Sequence, residues 1–163
     1  MSQATRTLVA AACLVAALAL PVRAWRPTTQ GRAPTGSIKV CSLLTKAEVK
    51  NHLPWAAFLD QMEPEETPIG NSGSSCNYPS VDVQVLTFQR GTIDALRKKG
   101  GLEPVTGIGD EAYFHNNANR YAELYVRVGD RMLTLQGNVS AGTIESVKPG
   151  VLSLARAYVA RLR

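Results

Sequence analysis

The chain has 163 residues, 45% of them hydrophobic, with 18 Lys and Arg against 13 Asp and Glu and a formal charge of +5. That size suits one domain with an ordinary core. The mild, scattered positive charge excludes the Lys/Arg cluster that a nucleic-acid footprint needs.

Residues 1–24, MSQATRTLVAAACLVAALALPVRA, have the layout of a secretory signal peptide. Arg6 gives a positive start, residues 8–20 are an unbroken apolar run, and Pro21 breaks it before a Val22-x-Ala24 cleavage site. The run is short for a spanning helix, which needs about 20 apolar residues; a retained anchor is the alternative. Lipid attachment at Cys13 would require cleavage in the middle of the apolar segment and is set aside. Cleavage removes Arg6 and Arg23 and no acid, lowering the charge to about +3. The expected location is periplasmic or extracellular, with membrane association only through the uncleaved signal peptide. Residues 25–38, WRPTTQGRAPTGSI, read as a flexible leader. Residues 39–163 then form a single domain.

Two cysteines follow the signal peptide, Cys41 and Cys76. An even count in an exported chain predicts a disulfide between them. Zinc is the chemical rival, because Cys41, His52, Cys76 and His115 make a Cys2His2 set. Their spacing holds no short Cys-Cys or His-His pair, so no metal site is predicted. A nucleophilic thiol would need a neighbouring base, and an oxidised one cannot attack.

Thr45-Lys46-Ala47-Glu48 is a capping box, which predicts a short helix over residues 46–53 ended by Pro54. Residues 55–62 allow a further helical turn, and 63–75 read as a Pro/Gly/Ser/acid loop. Alternation over 81–88 predicts a strand, and residues 92–99 a helix. Residues 120–128 alternate cleanly: Ala122, Leu124, Val126 and Val128 on one face, Tyr121, Glu123, Tyr125 and Arg127 on the other. Gly129-Asp130 fits a type II′ hairpin turn, setting Val126 opposite Leu133 and Leu124 opposite Leu135. Ile144, Val147, Val151, Leu154, Tyr158 and Leu162 recur at helical spacing over 143–161, with Pro149 in the first turn or at a kink. Val85-Leu86-Thr87-Phe88-Gln89 echoes Met132-Leu133-Thr134-Leu135-Gln136, each ahead of a helix. The expected fold is α+β: an antiparallel sheet with helices mainly on one face, and a duplicated β-β-α unit as one way to build it.

Three segments together, Cys41-Ser42-Leu43-Leu44-Thr45 with Glu48, Ser74 to Pro79 (SSCNYP) and Val105 to Phe114 (VTGIGDEAYF), resemble a family of small exported bacterial domains of unknown function. Many members are lipoproteins or secreted proteins. The resemblance covers most of residues 40–160. It implies an α+β fold, a Cys41–Cys76 bridge and an envelope or extracellular location, and it carries no activity.

No specific catalytic motif is present. Gly107-Ile108-Gly109-Asp110 lacks the third glycine and the strand-turn-helix setting of a phosphate loop and reads as a turn. Asp110 and Glu111 are adjacent, so on a strand they point to opposite faces and cannot act as a pair. His115 precedes the polar run Asn116-Asn117-Ala118-Asn119, read as loop; His52 ends the first helix; neither has a partner nearby in sequence. Asn138-Val139-Ser140 matches a glycosylation sequon that a bacterial chain does not use. No cofactor is implied. The best-supported class is an exported non-catalytic binding or interaction module with an envelope protein or glycan as partner. A structural or accessory envelope protein, or an unrecognised hydrolase, is the alternative. The candidate binding residues are Tyr121, Glu123, Tyr125 and Arg127, because Tyr and Arg combine large contact area with a polar handle; Met132 and Thr134 would extend their face.

Overall fold

Thr45 and Glu48 bond reciprocally, Thr45 N–H to the Glu48 carboxylate at 2.7 Å and Glu48 N–H to the Thr45 hydroxyl at 3.2 Å, and so start helix α1, Lys46–His52. The structure is a computed structural model and describes residues 38–118, 120–139 and 143–163. The expected signal peptide and residues 25–37 of the leader lie outside the described residues. A 3-10 turn, Val40–Ser42, precedes α1, and another, Ala57–Asp60, follows it. Strands β1 (Glu65–Ile69), β2 (Gly73–Tyr78) and β3 (Val81–Thr87) lead into α2 (Arg90–Lys99). Strands β4 (Leu102–Val105), β5 (Glu111–Asn117), β6 (Tyr121–Val128) and β7 (Arg131–Asn138) lead into α3 (Ile144–Leu162). A second capping box, Thr143 with Ser146, opens α3, and Pro149 lies inside that helix.

All seven strands form one antiparallel sheet in the order β1-β2-β3-β7-β6-β5-β4. The fold is α+β, as expected. The β6–β7 hairpin has the predicted register, Val126 opposite Leu133 and Leu124 opposite Leu135. Its turn places Gly129 at a φ of 60° while Asp130 stays at negative φ, as a type II′ turn requires. The stretch 63–75, read as a loop, instead builds β1 and the start of β2. Its Pro and Glu content reflects an edge strand, not a loop. Both edges of the sheet carry a proline and acids, Glu65, Glu66 and Pro68 on β1 and Glu103 and Pro104 on β4, which discourages pairing with another chain. His115, read as next to a loop, lies within β5, which runs on through Asn117.

Each half of the chain supplies a strand meander followed by a helix, and β3 and β7 meet at the centre of the sheet. The echo seen in sequence aligns Val85 with Met132. In the sheet Val85 pairs with Leu133, so Val85 and Met132 point to opposite faces. The likeness between halves is therefore one of topology and not of that alignment.

One face of the sheet is the core. Val83 on β3, Leu124 and Val126 on β6 and Leu133 and Leu135 on β7 are fully buried there with Val151, Leu154 and Tyr158 of α3. Gly137 lets α3 come close: a Cβ there would stand 2.9 Å from Val151 Cγ2 and 3.2 Å from Val147 Cγ1. Val49, Leu53 and Leu59 extend the core under α1. Two buried phenols, Tyr78 and Tyr158, satisfy each other at 3.2 Å, which removes the penalty of an unpaired hydroxyl.

Cys41 and Cys76 are joined in a disulfide with a Cα–Cα distance of 5.0 Å, tying the first 3-10 turn to β2. Closing a loop of that length contributes about 4 kcal/mol in the chain-entropy model. Beside it the Glu66 carboxylate accepts the backbone N–H groups of Val40 at 2.8 Å and Cys41 at 2.7 Å. The N-terminal end of the domain is thus fastened to β2 by the covalent bond and to the edge strand β1 by polar ones. Among the described residues no helix is long and apolar enough to cross a membrane.

Candidate binding face

The other face of the sheet is polar, and strand pairing orders it into rows. His115, Glu123, Gln136, Asp82, Asn77 and Glu65 stand side by side on β5, β6, β7, β3, β2 and β1. Two residues along each strand lie Tyr113, Tyr125, Thr134, Gln84, Ser75 and Thr67. On the other side of the first row, Asn117, Tyr121 and Asn138 stand together. Period-two alternation alone puts these side chains on one surface.

Glu123 is the hub of that surface. It is only 8% exposed, and its carboxylate accepts from His115 Nδ1 at 3.0 Å, Asn117 Nδ2 at 2.8 Å, Tyr125 Oη at 2.9 Å and Gln136 Nε2 at 3.3 Å. Burial pushes its pKa up, but the hydrogen bonds from His115, Asn117 and Tyr125, with the charge of His115, outweigh burial and hold it below the ordinary carboxylate value. Burial, and then the Glu123 carboxylate, push the Tyr125 phenol well above its ordinary value. Glu123 is therefore an anion at neutral pH that fixes four side chains in one orientation. Asp82, two strands away in the same row, accepts from Gln84 Nε2 at 3.0 Å through Oδ2. Its Oδ1 is buried with no hydrogen-bond partner among the described residues.

The four predicted binding residues all occupy this face. Glu123 and Tyr125 are bonded to each other, and Tyr121 lies beside them, half-buried. Arg127 is turned away into a second cluster, 3.5 Å from the Glu111 carboxylate and over the Phe88 ring at 5.7 Å. Thr134 continues the face, and so does Met132, which pairs with Arg127 but is buried. Sequence reading missed His115, Asn117, Gln136 and Asp82. The signal was present in β5, where Glu111, Tyr113, His115 and Asn117 alternate with Ala112 and Phe114, but the asparagines masked it as a loop.

The second cluster seats α2 against the same face. Glu111 is bound by Arg97, Tyr113 and Arg127. Its pKa is held below the ordinary value by the Tyr113 hydrogen bond first, against a smaller opposing effect of burial, and then by the two arginines. Arg97 also stacks over the Tyr113 ring at 4.8 Å. A cavity of about 150 Å³ remains between Phe88, Ile93, Arg97, Glu111 and Arg127.

The histidines divide between the two sides of the sheet. His52 Nδ1 lies 2.8 Å from Ser153 Oγ of α3, on the core side, while His115 bonds to Glu123 on the polar face. A histidine with a serine and a histidine with an acid are both present, but they are not in one cleft. Among the described residues no group of three or more His, Cys, Asp or Glu is placed to hold a metal ion. Gly107 to Asp110 form a turn before β5. Gly109 has a φ of 61°, and a Cβ there would stand 2.5 Å from the Arg127 carbonyl oxygen. Asp110 accepts the Gly129 N–H at 2.7 Å, bracing the neighbouring hairpin turn. Ser140 of the sequon lies outside the described residues.

No family model, curated protein or solved structure matches this chain. The site rests on its own geometry.

Proposed function

We propose that the protein is an exported, non-catalytic binding module of the bacterial cell envelope, and that the polar sheet face around Glu123 is its binding surface. One observation carries this reading: a buried carboxylate holds His115, Asn117, Tyr125 and Gln136 in fixed positions on a sheet face that α1 and α3 do not cover and that α2 meets at Glu111 and Tyr113. A surface locked in this way loses little side-chain freedom when a partner docks. The disulfide supports a non-cytoplasmic, oxidising location, and the apolar run ahead of Val22-x-Ala24 supports export.

The test is a pull-down from envelope extract with wild type and with Tyr121→Ala/Tyr125→Ala, after circular dichroism establishes that the variant folds. The reading predicts that the folded double variant loses its partners. Full retention of every partner would assign the face a structural role only.

A further inference from the structure

The chemistry of the face narrows the partner, and the inference that follows rests on the binding reading above. The row from His115 through Glu123, Gln136 and Asp82 to Asn77 presents carboxylate, carboxamide and imidazole groups. The next row adds phenol and hydroxyl groups at Tyr125 and Thr134. Among the described residues the exposed large hydrophobic side chains are Phe58 and Met62, which lie on no strand of the sheet but in and just after the second 3-10 turn. The core of a protein–protein interface is about 65% apolar; on this face the apolar Leu86 and Met132 stand two rows away from Glu123, in the row of Arg127, and the Glu123 row itself holds only polar side chains. Its groups pair instead with ligand atoms that donate and accept at once, as hydroxyls do.

Charge decides between neutral and acidic ligands. Glu123 and Asp82 occupy one row with only Gln136 between them, so a polyanion laid along it would meet like charge. Asp82 Oδ1 supplies the second observation. It is a buried acceptor without a donor among the described residues, and such groups call for a partner; because the residue as a whole is half-buried, a turn of the carboxylate would bring this oxygen to a ligand hydroxyl. The geometry also suits a chain molecule. Neighbouring strands lie about 4.8 Å apart, close to the length of one sugar residue, so a glycan crossing the strands meets one row position per residue.

We infer that this face binds a neutral, hydroxyl-rich glycan chain lying across the strands along the row from Glu123 to Asp82. The Tyr121 ring, half-buried beside that row, offers an apolar surface for the C–H face of a sugar.

The test is an NMR titration of the oxidised, secreted protein with three probes: maltohexaose, chitohexaose, and hexagalacturonate as the anionic control. The inference predicts that at least one neutral hexaose shifts the amides of Asn77, Asp82, Gln84, Tyr125 and Gln136. It predicts binding about tenfold or more tighter than hexagalacturonate, and a similar loss in Gln136→Ala and in Asp82→Asn. The amide spectrum of each variant reports whether it remains folded. The inference is overturned if neither neutral probe shifts this face at about 5 mM, or if hexagalacturonate binds it more tightly. A photo-crosslinker at Gln84 then separates the two levels. Capture of a protein there would leave the binding reading intact and remove the glycan; no adduct from envelope extract would remove both.

Discussion

Replacing Glu123 by alanine removes the acceptor of four hydrogen bonds at once, from His115, Asn117, Tyr125 and Gln136. Hydrogen bonds to a charged group are worth about 1.5–3 kcal/mol each. Part of that gain only offsets the desolvation of the carboxylate, and water can reach the half-buried donors once it is gone. The net cost of Glu123→Ala should be about 2–4 kcal/mol, which is a fall in Tm of about 8–15 °C for a domain of this size. Glu123→Gln should cost about 1 kcal/mol. Its oxygen can still accept from Asn117 and Gln136, and its NH2 can donate to the Tyr125 oxygen and to His115 in the other tautomer. The assay is urea unfolding followed by circular dichroism, repeated from neutral to acid pH. Because the folded-state pKa of Glu123 lies below the ordinary carboxylate value, its contribution is complete above that ordinary value and is lost as pH falls through the depressed folded value. Both variants should therefore show a shallower acid limb than wild type, though not a flat one, since Glu111 is also depressed. A Glu123→Ala protein within about 0.5 kcal/mol of wild type would refute the hub. So would a glutamine variant as damaged as the alanine one.

Reduction of Cys41–Cys76 should destabilise the fold by about 4 kcal/mol, read as a lower urea midpoint in reducing buffer; an unchanged midpoint would show that the bridge constrains nothing. Gly109→Ala should cost about 2 kcal/mol or more, because its Cβ would collide with Val126 and the Arg127 carbonyl at positive φ, whereas Gly70→Ala, also at positive φ but with no atom within 4 Å, should cost about 1 kcal/mol. Equal costs at the two sites would remove the packing argument. N-terminal sequencing of the exported protein should begin at Trp25; a chain retaining Met1 or starting at a lipid-modified Cys13 would contradict the signal-peptide reading.

Local rules made much of the fold legible. Thr45 and Glu48 announce α1, the Gly129-Asp130 turn sets the β6–β7 register, and the spacing from Ile144 to Tyr158 marks the buried face of α3. The failures came where one pattern imitates another. Edge strands β1 and β4 carry the prolines and acids that resist pairing, and these are the residues of loops. The end of β5 is rich in asparagine, which hides a strand within a turn-like composition. The candidate binding face was half legible for the same reason. Period two within β6 put Tyr121, Glu123 and Tyr125 on one side, but a lateral row is made by pairing between strands distant in sequence. Asp82 and His115 meet the Glu123 row only through the contact of β3 with β7 and of β5 with β6, and no local pattern encodes those contacts. Conversely, Arg127 shares the face by parity yet is drawn to Glu111 and Phe88, a competition invisible in one strand.

The polar face around Glu123, on the side of the sheet opposite α1 and α3, is proposed to meet the partner. Site-specific photo-crosslinking in intact envelope tests it most directly, with the reactive group at Gln84 on the polar face or at Arg156 on the exposed surface of α3. Docking on the polar face gives adducts from Gln84 and none from Arg156; adducts from Arg156 alone would overturn it.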